Sequence, residues 1–266
     1  MEALINFDQV LSFIADPISK EPLSYKNGCL VNDRTGNTFP VDSNHKSPLL
    51  FPNEIIPYCT DKGLDWIKLI NTKEALKQYF GMAYIKWNGG THNSSPEEEC
   101  YKLYLDHFKE LVSDASGSML DIGCDDPENT LSRFPKNINY LGIDPLYYLP
   151  SRLFKIFAVS EFLPFQNEVF DNVCFGTSLD HSMDTSATLD EANRILKPNG
   201  CLYLTTLIWD HKAELYNDTV HFHHFRENYL LDLLKSKGFS IRRSFKMPWK
   251  GNSHREGLFL KAKKNG

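Results

Sequence analysis

Two carboxylates are spaced to hold a nucleotide-like ligand. Asp121 lies in Met119-Leu120-Asp121-Ile122-Gly123-Cys124, an apolar run that ends in an acid and a glycine. Asp144 closes the next run, Tyr140-Leu141-Gly142-Ile143-Asp144, 23 residues further along. In open α/β sheets, ligands bind beyond the carboxyl ends of the strands, and an acid about 20 residues past the first turn is the usual acceptor for ribose hydroxyls. Gly123 lets the backbone approach such a ligand closely. Taken singly, either acid reads equally well as a helix cap. His181, in Ser178-Leu179-Asp180-His181, follows a later apolar run and is the best-placed general base; its plainer reading is a capping or pocket-lining residue. His221, His223 and His224 crowd into four positions, but they lack the i, i+4 pairing and the nearby acid or cysteine of a zinc site, so no metal is expected there.

These residues need a sheet to bring them together. Residues 119–123, 140–144, 155–159, 170–175 and 201–206 are short apolar runs of the buried-parallel-strand type, with helical stretches at 128–134 and 185–197 between some of them. Such alternation implies a parallel sheet covered on both faces. An amphipathic helix over 226–237, ended by Gly238, precedes two strand candidates at 240–246 and 257–261. Upstream, Ser95-Pro96-Glu97-Glu98 is a capping-box start for a helix carrying Tyr101, Tyr104, Leu105, Phe108, Leu111 and Val112, and residues 62–80 also read as helical. Residues 3–14 place Leu4, Phe7, Leu11 and Ile14 on one helical face, and Asn27-Gly28 is a hairpin signal. The expected division is 1–57, a small helix-plus-hairpin module; 58–117, a helical linker or cap; and 118–266, the α/β domain.

Composition narrows the function classes. The chain is 41% hydrophobic and 24% charged, which excludes a largely disordered or collagen-like protein. Its net charge of −5 gives no bulk attraction to nucleic acid or anionic membrane. No apolar run reaches the 18 or so residues that span a bilayer, and the first residues lack a basic n-region, so a cytoplasmic protein is expected. The six cysteines are scattered, with no C-x-x-C pair, and read as reduced thiols.

Leu163-Pro164-Phe165, Val169-Phe170-Asp171-Asn172-Val173 and the run from Glu191 through Arg194-Ile195-Leu196-Lys197-Pro198-Asn199-Gly200 complete a recognisable pattern. Over about residues 118–264 the chain resembles the class I S-adenosylmethionine-dependent methyltransferases, in the branch of quinone-biosynthesis and small-molecule enzymes. The resemblance implies a doubly wound, mostly parallel, seven-stranded Rossmann-like sheet and S-adenosylmethionine as cofactor. It places Asp121, Gly123 and Cys124 beside the methionine part, Asp144 on the ribose hydroxyls and Pro145 beside the adenine. Ser160 and Glu161 would border the adenine ring, and Gly176 with Thr177 the methyl-transfer pocket; His221 or His223 would face the acceptor. Two positions depart from the family pattern: Cys124-Asp125-Asp126-Pro127 replaces a Gly-x-Gly continuation, and Val159 stands where an acid often bonds the adenine amino group.

Residues 4–56 resemble the small zinc-ribbon family typified by the activator subunit of tRNA and protein methyltransferases. The four ligand positions carry Asp16, Ser19, Asn32 and Thr35 instead of cysteines. Oxygen and amide groups suit a thiolate zinc site poorly, so hydrogen bonds are expected to hold this ribbon. The function expected is methyl transfer to a small-molecule acceptor, with His181 as base. Tyr79, Phe80, Tyr84, Trp87, Tyr101 and Tyr104 are candidates for an aromatic entrance. An RNA methyltransferase of the ribosomal guanine type is the alternative that the acidic balance disfavours. A non-catalytic partner subunit is the alternative that the altered first motif suggests.

Overall fold

The computed structural model describes residues 4–42, 46–52, 96–125, 127–145, 153–210, 223–249 and 255–266. The helix expected at 62–80, the capping Ser95, four of the entrance aromatics (Tyr79, Phe80, Tyr84 and Trp87) and His221 lie outside the described residues.

A six-stranded sheet organises the chain. Its strands are β4 (Gly117–Ile122), β5 (Ile138–Ile143), β6 (Phe170–Gly176), β7 (Leu196–Trp209), β8 (Phe239–Pro248) and β9 (Arg255–Lys264). The order is β5-β4-β6-β7-β9-β8. The first four strands run parallel, and β9 is antiparallel to both of its neighbours. Alternate side chains go to opposite faces. Leu120, Ile122, Leu141, Ile143, Val173, Phe175, Leu202 and Leu204 pack on one face with Leu189, Ala192 and Ile195 of helix α4 (Thr185–Ile195) and Leu230 and Leu234 of helix α5 (Glu227–Ser236). Met119, Tyr140, Cys174 and Tyr203 pack on the other face with Cys100, Tyr104, Phe108 and Leu111 of helix α2 (Pro96–Leu111). This is the doubly wound arrangement the alternating pattern requires, and no helix among the described residues is long and apolar enough to cross a membrane.

The details differ from the sequence expectation where local chemistry intervenes. The strand expected at 155–159 is reduced to isolated bridges, Ile143 with Ile156 and Leu49 with Phe157, so six strands rather than seven form among the described residues. The helix expected over 128–134 is a short α3 (Pro127–Thr130) continued by a 3₁₀ turn at Leu131–Arg133. Strand β7 begins directly after α4 and takes in the Lys197-Pro198-Asn199-Gly200 turn as an irregularity in its pairing with β6. Asn199 sits there at φ 66, and a Cβ on Gly200 would lie 3.0 Å from the carbonyl oxygens of Asp171 and Lys197.

The N-terminal residues fold against the sheet. Asn6 and Gln9 form a reciprocal capping box on α1 (Phe7–Val10), which stops after one turn instead of running from 3 to 14. Ile14 and Ala15 are instead drawn into bridges with Phe165 and Pro22. Strands β1 (Ser24–Lys26), β2 (Cys29–Val31) and β3 (Thr38–Pro40) make a small antiparallel sheet. Asn27 at φ 50 and Gly28 at φ 81 form the two-residue turn that a type I′ hairpin needs. The module is stitched to the large sheet: Ile5 N–H donates to the Tyr140 carbonyl at 2.8 Å, Leu50 N–H to Phe157 at 2.8 Å, and Ala15 N–H to Pro164 at 2.9 Å. Lys20 adds a 2.7 Å ion pair with Glu191 of α4.

Three of the four ribbon positions converge in one hydrogen-bonded knot. Asn32 Nδ2 donates to Asp16 Oδ2 at 2.9 Å and to Ser19 Oγ at 3.0 Å. Asn32 Oδ1 accepts the Arg34 and Thr35 N–H groups, and Asp16 Oδ1 accepts those of Ile18 and Ser19. Thr35 thus joins through its backbone. Burial pulls the Asp16 carboxyl upward, but its bonds to Asn32, Asn37 and the two backbone N–H groups outweigh that and hold it below the usual carboxylate range. Its stabilisation is therefore present above that range and lost as pH falls through the depressed value. Asn32→Ala should cost about 2–4 kcal/mol in urea denaturation at pH 7, because Asp16 stays buried with fewer donors. A loss below about 0.5 kcal/mol would show that the knot contributes nothing.

Candidate active site

The polar groups gather at the carboxyl ends of β4, β5 and β6, on the face covered by α2. Asp121 pairs in register with Gly142 on one side and Cys174 on the other. It is 4% exposed, and Tyr140 Oη donates to its Oδ2 at 2.8 Å, with Thr130 Oγ1 2.9 Å from the same hydroxyl. Burial pushes the Asp121 carboxyl up to about 6, against the lowering pull of the Tyr140 bond and Arg133, while Asp144 adds to the rise. A buried acid with this character gains from a cation beside it.

The chain then leaves β4 by a tight turn. Gly123 has φ 76, and its N–H and that of Cys124 both donate to the Ile143 carbonyl, at 2.9 and 3.1 Å. A Cβ on Gly123 would lie 2.4 Å from Ser178 Cβ, and Ser178 Oγ donates to the Ile122 carbonyl. Cys124 turns inward: a Cβ on Gly142 would come 2.5 Å from its Sγ, and burial raises its thiol well above the usual range. Asp125 follows in a left-handed conformation at φ 53. Its N–H donates to Asp144 Oδ2 at 2.8 Å, and its carbonyl accepts from Lys155 Nζ at 2.5 Å.

Beyond β6, a Cβ on Gly176 would meet Phe108 Cε2 at 3.8 Å, ordinary van der Waals contact, so the position tolerates a close approach from α2. Thr177, at φ 64, donates its N–H to Thr205 at 2.9 Å. His181 ends the 3₁₀ turn Leu179–His181, with Nε2 3.9 Å from Oδ1 of the buried Asp180. His223 closes over this turn: its N–H donates to the Asp180 carbonyl at 3.1 Å, and its Nε2 lies 2.7 Å from the Ser182 carbonyl.

The structure thus brings Asp121, Gly123, Cys124 and Asp144 around one turn, with half-buried Pro145 next to Asp144, and puts Gly176 and His181 on the neighbouring strand end. The side chains of Ser160 and Glu161 are engaged near the start of α4. Glu161 Oε1 accepts the N–H groups of Met183 at 2.6 Å and Asp184 at 3.1 Å, and Ser160 Oγ lies 2.9 Å from Thr188 Oγ1, so both side chains turn toward the start of α4. Burial raises the Glu161 carboxyl. Sequence reasoning passed over Tyr140, Lys155 and Ser178. A lysine opening an otherwise apolar run at 155–159 was the available signal for Lys155; the other two carried none.

Residues 97–244 match the family described as a methyltransferase domain. Among solved structures, the complex between the Haloferax volcanii Trm112 methyltransferase activator and a chain described as a methyltransferase is similar at 14% identity and TM-score 0.55, over 72% of this chain and 98% of that one. A Bacillus halodurans protein described as a methyltransferase is similar at 15% identity and TM-score 0.50, over 61% of this chain and 99% of that one. Haemonchus contortus phosphoethanolamine N-methyltransferase 2, in complex with phosphomonomethylethanolamine and S-adenosylhomocysteine, is similar at 16% identity and TM-score 0.50, over 62% of this chain and 53% of that one. At these identities the likeness shows the fold. No curated protein matches the chain.

The turn at Gly123 admits a direct test against a glycine of similar backbone. Gly28 shares the positive φ but has nothing within 4 Å of an added Cβ. Gly28→Ala should cost about 1–2 kcal/mol from conformation alone. Gly123→Ala adds the collision with Ser178 and should cost at least about 1 kcal/mol more in the same denaturation assay. Equal losses would mean the turn yields without strain.

Proposed function

The chain belongs to the methyltransferase-domain family, and from that membership we propose that it transfers a methyl group from S-adenosylmethionine to a small-molecule acceptor. The observation that carries the reading is the pair of buried carboxylates, Asp121 and Asp144, at the carboxyl ends of adjacent strands around a glycine turn. Their chemistry fits this donor, which offers cationic ammonium and sulfonium groups and two ribose hydroxyls. Asp121 and Gly123 are assigned to the methionine part, with Cys124 as packing beneath the turn. Asp144 is assigned to the ribose and Pro145 to the adenine. Ser160 and Glu161 shape the adenine side through the α4 start they hold.

When bound, the donor supplies a methyl carbon already activated for in-line displacement by its sulfonium. The protein's work is then to position two reactants and keep water out. Gly176 and Thr177 border the transfer pocket. His181 takes the acceptor's proton, its imidazole held beside the carboxylate of Asp180. The acidic balance and the hydrogen-bonded knot at the ribbon's ligand positions support a small acceptor over RNA. Residues 118–266 are assigned as the catalytic domain, 58–117 as a cap and 1–57 as a degenerate zinc-ribbon module that supports the core from within the same chain. Its backbone bonds to Tyr140, Phe157 and Pro164 favour that role.

Calorimetric titration with S-adenosylmethionine tests the reading, and absence of binding at millimolar donor would sink it. The pH dependence is specific. A cation beside Asp121 favours its ionised form, so binding expels a proton wherever that acid is protonated. Affinity should rise about tenfold from pH 5 to 7 and then level off, following ionisation near 6. A flat profile would place the cation elsewhere. His181→Ala should lower turnover by about 10²–10⁴-fold while leaving donor affinity unchanged; equal loss of both would assign it a structural role.

A further inference from the structure

Lys155 is a buried lysine with no part in the chemistry described so far. It is 0% exposed, and its ammonium lies 5.3 Å from the centre of the Phe157 ring. Confining a lysine this completely costs rotamer freedom and solvation, so its polar contact matters more than a surface one. That contact is the carbonyl of Asp125 at 2.5 Å.

The partner residue explains the placement. Asp125 lies in the turn where the resembling family continues with glycine, and it holds a left-handed φ of 53, a conformation glycine adopts more readily than aspartate. Both backbone polar groups of this one residue are held by side chains that follow β5: Asp144 Oδ2 takes its N–H, and Lys155 Nζ donates to its carbonyl. The same packing accounts for Gly142, where any side chain would strike the Cys124 sulfur beneath the turn. A carboxylate and an ammonium therefore hold the two peptide units that flank the Asp125 Cα, in place of the conformational freedom of a glycine.

We propose that Lys155 is a positioning residue for the methyl-donor site: it holds the Cys124-Asp125 turn in its left-handed form and so keeps Asp144 and Gly123 in binding geometry. This rests on the donor reading above. Lys155 acts through the turn and touches no reacting atom. Its effect should thus be independent of the charge on sulfur, and S-adenosylmethionine and S-adenosylhomocysteine should respond alike.

Calorimetry on Lys155→Met with both ligands tests this, beside Lys155→Met/Asp125→Gly and Asn32→Ala, whose lesion lies in the N-terminal knot. Measurements are made below each variant's midpoint, verified by circular dichroism. Lys155→Met should weaken both ligands by the same factor, at least about tenfold, the scale of a lost charge-assisted hydrogen bond. The added glycine, which adopts the turn without a side-chain clamp, should restore most of that loss, and Asn32→Ala should bind like the parent. Unchanged affinity in Lys155→Met, loss for one ligand only, or no rescue by Asp125→Gly would each overturn the proposal. If Lys155→Met does not fold, the double variant decides alone: parent-like binding supports the role and weak binding refutes it. No binding of either ligand by the parent chain would instead defeat the donor reading itself.

Discussion

A parallel strand that ends at a ligand must turn away sharply enough to leave its last carboxylate accessible, and the turn after β4 is built under that constraint. Gly123 takes the first left-handed step, against Ser178. The next left-handed step falls on an aspartate, so side chains supply what sequence-encoded flexibility does not. Asp144 is drawn into this arrangement and is both a candidate ligand group and a structural acceptor for the Asp125 N–H. The two uses are compatible because a carboxylate has about four acceptor sites. They also link the ends of β4 and β5, so the geometry of one strand end fixes that of the other.

The far edge of the sheet answers a second constraint. A sheet edge with unpaired N–H and C=O groups invites association, and β5 would be exposed on its outer side. Here the chain covers that edge with its own N-terminal residues, pairing Leu4 with Tyr140 and, through the short 155–157 segment, Leu49 with Phe157. The covering module then needs internal order of its own. Asp16, Ser19 and Asn32 supply it by hydrogen bonds at positions where a ribbon's metal ligands would stand. Such a knot has none of the folding free energy of a structural zinc, which is of order 10 kcal/mol. The module instead shares its apolar residues, Phe7, Val10, Ile14, Leu30 and Leu50, with the core of the large sheet.

The architecture was legible in the sequence because it rests on pattern. Runs of apolar residues separated by capped helices determine a parallel sheet, and the acids at the ends of β4 and β5 follow from where those runs stop. Asn27-Gly28 specified its hairpin for the equally local reason that few residues adopt two positive φ angles in succession. What escaped was set by distant partners. The stretch 155–159 has the composition of a strand, yet its length is decided by Pro48–Leu50, a segment about 100 residues earlier in the chain. Residues 3–14 have helical periodicity, yet Ile14 and Ala15 are claimed by Phe165 and Pro22. Glu161 reads as a ligand group by its place in the motif, and only the fold shows its carboxylate bonded to the backbone that opens α4. Lys155 was hidden for a related reason: a lysine in a buried run has meaning only when its acceptor is known.

The two faces of the sheet divide labour. One is apolar throughout, with leucines, isoleucines and phenylalanines against α4 and α5. The other carries Asp121 with its Tyr140 partner and is covered by α2. Tyr104 of that helix places its hydroxyl 2.7 Å from Thr205 Oγ1, and Phe108 lies within van der Waals reach of a Cβ at Gly176. Tyr104 also stacks near Trp249 and Phe259, so α2 is fixed to β9 and the β8 end as well as to β7. Phe108 also packs edge-on against Phe134, which packs against Tyr140, so α2 is coupled to the hydroxyl that holds Asp121. Helix α2 and the Asp121 strand end are therefore one packed unit, whereas Asp144 is tied to the turn through the Asp125 N–H.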